Sequence, residues 1–89
     1  MSEFSKRDFA NKVVRYCKFI NAQMRKGVSK DNYIKLMAEE FSDYDPYIGM
    51  FVMMLPNNVR QNITVQQATL MAATFKTTYE NRLKDDSVN

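Results

Sequence analysis

Histidine and tryptophan are absent from this 89-residue sequence, and cysteine occurs once. Without histidine the commonest general base is missing, together with every Ser-His or Cys-His nucleophile pair and the usual zinc-binding patterns. Glycine stands only at Gly27 and Gly49, so neither a Walker A loop nor a dinucleotide fingerprint can be written on the chain. The same scarcity, with proline only at Pro46 and Pro56, argues against a β architecture, which needs many tight turns, and for a few long helices on short connections. The longest apolar run, Tyr47 to Leu55, is far shorter than the ~20 residues that cross a bilayer. The leading segment MSEFSKRDFANK is charged and has no signal-peptide apolar run. These absences lead to the expectation of a cytoplasmic, non-enzymatic, all-α protein with no cofactor and no membrane association.

What is present is an ordinary globular composition, 45% apolar and 26% charged, which predicts folding as a single helical domain over residues 1–89. Chains of this size have small cores, so a partner or self-association fits from the outset. Cys17 cannot form an internal disulfide. Its helical spacing from Val13 and Ile20 places it on an apolar face as an inert buried thiol.

Punctuation in the sequence predicts a compact bundle of four helices, about 6–26, 30–42, 46–55 and 65–83, with a frayed tail over about 84–89. Ser5 caps the first, Asp8 occupies the capping-box position, and Gly27 supplies the left-handed residue that ends it. Ser29 caps the second, with Val28 stapling onto Tyr33. Asp45 caps the third, with Pro46 at N1, and Pro56 closes it after Leu55. Thr64 and Gln67 form a capping box for the fourth.

Apolar residues at helical spacing give the expected core: Phe9, Val13, Tyr16, Cys17, Ile20 and Met24 from helix one, then Tyr33, Ile34, Met37, Ala38 and Phe41 from helix two. Helix four contributes Val65, Ala68, Ala72, Phe75, Tyr79 and Leu83. Helix three, DPYIGMFVMML, is different. Ile48, Phe51, Val52 and Leu55 form one stripe, while Tyr47, Met50, Met53 and Met54 cover another arc, so the helix is apolar almost all round. That pattern requires either central placement or a covered outer face. Methionine fills irregular core gaps and also recurs at adaptable protein contacts. Tyr47, Met50, Met53 and Met54 are therefore candidate partner-binding residues, with core filling as the alternative.

Charge is unevenly distributed. Residues 1–30 carry a net +6, residues 31–58 a net −4, and the remainder +1. On helix one Arg7, Lys12, Arg15, Lys18, Arg25 and Lys26 fall opposite the core stripe, forming a face about 30 Å long at 1.5 Å per residue. Phe19 lies among them. Cations interleaved with an aromatic ring suit a nucleic-acid backbone with a stacked base, single-stranded nucleic acid or RNA above all. Basic helix faces are also commonly just solvated, and an acidic protein surface, including the middle segment of a second copy, would fit this one too. The acidic cluster Glu39, Glu40, Asp43 and Asp45 lacks the glycine and terminal glutamate of a calcium loop. Helix capping and solvated faces account for it, so no metal is expected, although Glu39 and Glu40 oppose the dipole at the end of helix two.

These features fit a small accessory subunit that contacts a phosphate backbone through helix one and a protein partner through the Met face of helix three. The alternative is a protein-interaction module or inhibitor, of the phage or plasmid regulatory kind, with no nucleic-acid binding.

Overall fold

The structure, a computed structural model, describes residues 5–88, with side chains through residue 81. Over the described residues it is all-α: five helices, α1 Lys6–Arg25, α2 Tyr33–Glu40, α3 Pro46–Met54, α4 Asn57–Gln61 and α5 Val65–Val88, with a 3-10 turn, Lys30–Asn32, leading into α2. The long α1 is central and packs against each of the other four.

The predicted punctuation sets most boundaries. The Asp8 N–H donates to Ser5 Oγ at 3.1 Å, and Gly27 has φ +77°, a left-handed conformation that glycine adopts without penalty. Ser29 accepts from the Asp31 N–H, but it caps the 3-10 turn, so α2 proper begins later than expected. The Tyr33 hydroxyl donates back to the Val28 carbonyl at 3.1 Å, adding a polar tie to the predicted staple. Asp45 Oδ1 accepts from the N–H groups of Tyr47 and Ile48 at 2.9 and 3.3 Å. Thr64 and Gln67 exchange backbone-to-side-chain hydrogen bonds at 3.1 Å each. The last helix runs beyond the expected end near residue 83 to Val88; Leu83 and the tail side chains lie outside those described.

The element not foreseen is α4. Pro56 both stops α3 and starts α4, and the helix exists because Arg60 has an internal task. Arg60 is only 6% exposed. Its Nη1 donates to the carbonyls of Val52 at 3.0 Å, Met53 at 3.3 Å, and Leu55, and its Nη2 to Asn57 Oδ1. The Val52 carbonyl also accepts from the Leu55 N–H at 3.2 Å, and the carbonyls that end α3 are thus capped by a cation at the negative helix end. The Arg60 carbonyl accepts in turn from Asn21 Nδ2 at 3.1 Å, tying α4 to α1.

The core comprises Phe9, Ala10, Val13, Tyr16, Cys17 and Ile20 of α1, Tyr33 and Met37 of α2, Ile48 and Val52 of α3, and Ala68, Ala72 and Phe75 of α5. Ile34, Ala38 and Val65, expected inside, are exposed. A short α2 has room to bury only one side, and Val65 sits in the first turn of α5, beyond the end of the core. Gly49 permits a close approach: a Cβ there would collide with the Tyr44 ring, whose buried hydroxyl has no hydrogen-bond partner.

Two substitutions test this account by urea unfolding followed by circular dichroism. Arg60→Met should cost about 2–4 kcal/mol, because the carbonyls at the end of α3 lose their donor inside the protein. Gly49→Ala should cost about 1–3 kcal/mol through overpacking against Tyr44. A loss under half a kcal/mol for Arg60→Met would show that the α3 carbonyls find other partners.

Candidate interaction surfaces

Residues pointing away from the core decide what this protein can touch. On α1, Arg7, Arg15, Lys18, Arg25 and Lys26 are exposed. Arg7, Lys18 and Arg25 share one stripe with Asn11, spanning about 27 Å at 1.5 Å per residue. Among the described residues these three and Lys26 enter no ion pair.

The other members of the predicted face are engaged within the chain. Lys12 is mostly covered, its side chain 14% exposed, and lies 3.2 Å from Asp8 one turn back. Arg15 makes a bidentate pair with Asp43, at 3.0 and 3.3 Å, and its guanidinium lies 4.9 Å above the Phe41 ring. Asp43 therefore serves Arg15 rather than a helix end. That hydrogen-bonded guanidinium holds the Asp43 carboxyl below its ordinary range, and Asp43 raises the Arg15 value in return. Phe19, expected between the cations, is partly buried, edge-on to Phe41 at 5.6 Å. Its ring packs α1 onto the segment after α2 and does not stand free for stacking. Tyr16 completes this cluster: its ring lies 5.1 Å from Phe41 and 5.4 Å from Tyr44, and its hydroxyl accepts from the Asp45 N–H at 2.9 Å.

The second surface lies where α3 meets α5. Met50 and Met54 are 53% and 82% exposed, so the outer side of α3 faces solvent. Met53 and Tyr47 are partly buried against the core. The alternatives for the four residues thus divide: Met53 and Tyr47 pack, while Met50 and Met54 protrude. Between them runs a groove of about 250 Å³ lined by Tyr47, Met50, Phe51, Met54, Phe75, Thr78 and Tyr79. Its floor is rigid because the rings hold one another: Tyr47 on Tyr79 at 4.9 Å, Tyr79 on Phe75 at 5.9 Å, and Phe75 on Phe51 and Phe9 at 5.6 and 4.6 Å. An apolar groove with a fixed aromatic floor and flexible methionine rims can receive an apolar side chain without reorganising.

The sequence pointed to Met50 and Met54 through the all-round apolarity of α3. It concealed the α5 wall of the groove, because Phe75 and Tyr79 read as ordinary core and nothing in the spacing marked Thr78. The Arg15–Asp43 pair was also hidden, since it joins residues 28 positions apart.

Cys17 is fully buried, and burial, opposed in part by the charge of Arg60, pushes its thiol up to about 11. Among the described residues no three His, Cys, Asp or Glu side chains gather as a cation site, and no helix is long and apolar enough to cross a membrane. Comparison with protein-family models, curated proteins and solved structures finds no match.

Two measurements check this geometry. Carboxyl-detected NMR should place the Asp43 midpoint below the ordinary aspartate value, and Arg15→Gln should return it there. The folded-state value is the lowered one, so the pairing stabilises the fold above the ordinary aspartate value and is lost as pH falls through the Asp43 midpoint. Native Cys17 should resist a thiol reagent at pH 8 and react fully in denaturant; rapid native labelling would place the thiol at the surface.

Proposed function

We propose that this protein is a small, non-enzymatic helical accessory subunit or adaptor. It contacts a nucleic-acid phosphate backbone through the exposed cations of α1 and a protein through the Met-rimmed groove between α3 and α5. The observation that supports this reading is the segregation of two exposed surfaces of opposite character on one small fold. Arg7, Lys18 and Arg25 on α1 and Lys26 at its end are exposed and, among the described residues, enter no ion pair, and Met50 and Met54 stand uncovered elsewhere.

Unpaired cations held along a rigid helix position a strand without reading its sequence, because phosphate contacts carry no base information. Arg15 is a conditional member of this set, available only when it leaves Asp43. An exposed ion pair is worth roughly 0–1 kcal/mol, so a phosphate can compete for it. With Phe19 committed to packing, affinity rests on charge and single-strand stacking contributes little.

A second reading is favoured by the internal use of Lys12 and Arg15: a protein-interaction module whose groove is the sole contact and whose remaining cations are solvated.

Fluorescence anisotropy with labelled single-stranded and duplex oligonucleotides separates the two. On the first reading binding is present at low salt and falls steeply with added salt. With about four cations on a single strand, the slope of log affinity against log salt is near −3. Lys18→Glu with Arg25→Glu should abolish binding with the helical spectrum intact, whereas Asp43→Asn, which frees Arg15, should tighten it. Absence of binding at low salt, or binding unchanged by charge reversal, selects the protein-interaction module.

A further inference from the structure

From Pro46 to Phe75 the sequence contains a single charged residue, Arg60, and Arg60 is buried. Everything that α3, α4 and α5 up to Phe75 expose is therefore uncharged, in a chain where charged residues make up 26% of the whole.

This charge-free region has relief. Beside the α3–α5 groove a second groove, of about 550 Å³, runs between α4 and α5 and is lined by Asn58, Val59, Asn62, Gln67, Leu70, Met71 and Thr74. At 100° per residue Gln67, Met71, Thr74 and Thr78 form one stripe along α5, spaced four, three and four residues apart. Gln67, Met71 and Thr74 line the second groove and Thr78 the first. The grooves therefore follow one another along a single flank of α5. Two large apolar side chains project beside them: Met54 at 82% exposure and Leu70 at 77%. Hollows and protrusions share one strip.

We propose that this strip is the interface between two copies of the chain, related by a twofold axis, with Leu70 and Met54 of one copy seated in the grooves of the other. The inference rests on the protein-contact half of the proposed function and names its partner. Relief and charge both suit a second copy: protrusions and hollows lie on the same strip, and in a twofold contact residues at the axis meet their own image and a patch of one charge sign faces the same sign, a cost that an uncharged strip avoids. The opposite holds for α1, whose unpaired cations would repel their own image. Of the two surfaces, only the α3–α4–α5 strip can be self-complementary. Depletion of charge at the centre of a patch, with apolar and methionine side chains there, is also the compositional mark of interface cores. Pairing through the strip would leave both α1 stripes free, giving two basic contacts per assembly.

The test is sedimentation equilibrium of the full chain from low-micromolar to near-millimolar concentration, at low and high salt. The expected result is a reversible dimer of twice the 10.5 kDa chain mass, as strong at high salt as at low. Leu70→Lys and Met54→Lys change exposed side chains, so each should keep the helical spectrum while weakening dimerisation at least tenfold. Lys18→Glu should leave dimerisation unchanged. A chain monomeric throughout overturns the second-copy assignment. A dimer that survives both lysine variants, or one that dissociates with salt, also overturns it, because the copies then meet through another face. The oligonucleotide titration repeated on the Leu70→Lys protein reads the α1 contact independently, so failure of the dimer and failure of the wider reading remain distinguishable.

Discussion

The Arg60 guanidinium lies inside the protein among backbone carbonyls, and the arrangement of α3, α4 and α1 depends on it. A helix as apolar as α3 can end abruptly in a small protein only if its last carbonyls find donors. The Leu55 N–H serves Val52, and Pro56 has no N–H to serve the rest. Arg60 reaches back from α4 to do so and bonds Asn57 on its own helix, while its carbonyl receives Asn21 from α1. One residue thus closes a helix, shapes a five-residue helix around itself, and anchors both to the central element. The consequence for surfaces is direct: with its charge withdrawn inside, the outside of α4 is left to asparagine, glutamine and valine.

Charge on the other side of the molecule is handled differently. The net +6 of residues 1–30 and the net −4 of residues 31–58 are brought together at one point, where Arg15 reaches across to Asp43 over the Phe41 ring. That contact holds the segment between α2 and α3 against α1, with Tyr16, Phe19, Phe41 and Tyr44 packed beneath it. Lys12 before this point pairs with Asp8, but among the described residues Arg7, Lys18 and Arg25 enter no ion pair. Arg7 lies two turns before Arg15, and Lys18 and Arg25 follow it, so the acidic segment divides the basic face and spares its ends.

The extent to which sequence foretold structure follows from the range of each interaction. Caps at Ser5, Asp45 and Thr64, the stop at Gly27 and the buried stripe of α1 depend on residues within a few positions of one another, and local spacing reveals them. The late start of α2 escaped because Ser29 caps a 3-10 turn as readily as an α-helix. Helix α4 escaped because its reason for existing is the α3 carbonyls, which sequence periodicity does not display. The surfaces divide along the same line. That α3 is apolar almost all round, and so either central or covered on its outer side, was legible. Which methionines protrude was not, since this depends on where the aromatic ladder of Tyr47, Phe51, Phe75 and Tyr79 fixes the rotation of α3 against α5. The engagement of Arg15 by Asp43 was hidden for a related reason: a helix wheel shows which way a side chain leaves the backbone but not what another segment places there.

A fold of this size buries little, so the distribution of its few strong features is constrained. The core of α1 consumes one face and the Arg15 clasp part of another. What remains exposed is a broken line of cations on α1 and an uncharged strip on α3, α4 and α5, and the two have no residue in common. Ligands on them would not compete for side chains, and occupation of the strip would add buried apolar surface to a protein that has little to spare. Since α1 packs against all the elements that form the strip, stabilising them also stabilises the helix that carries the cations.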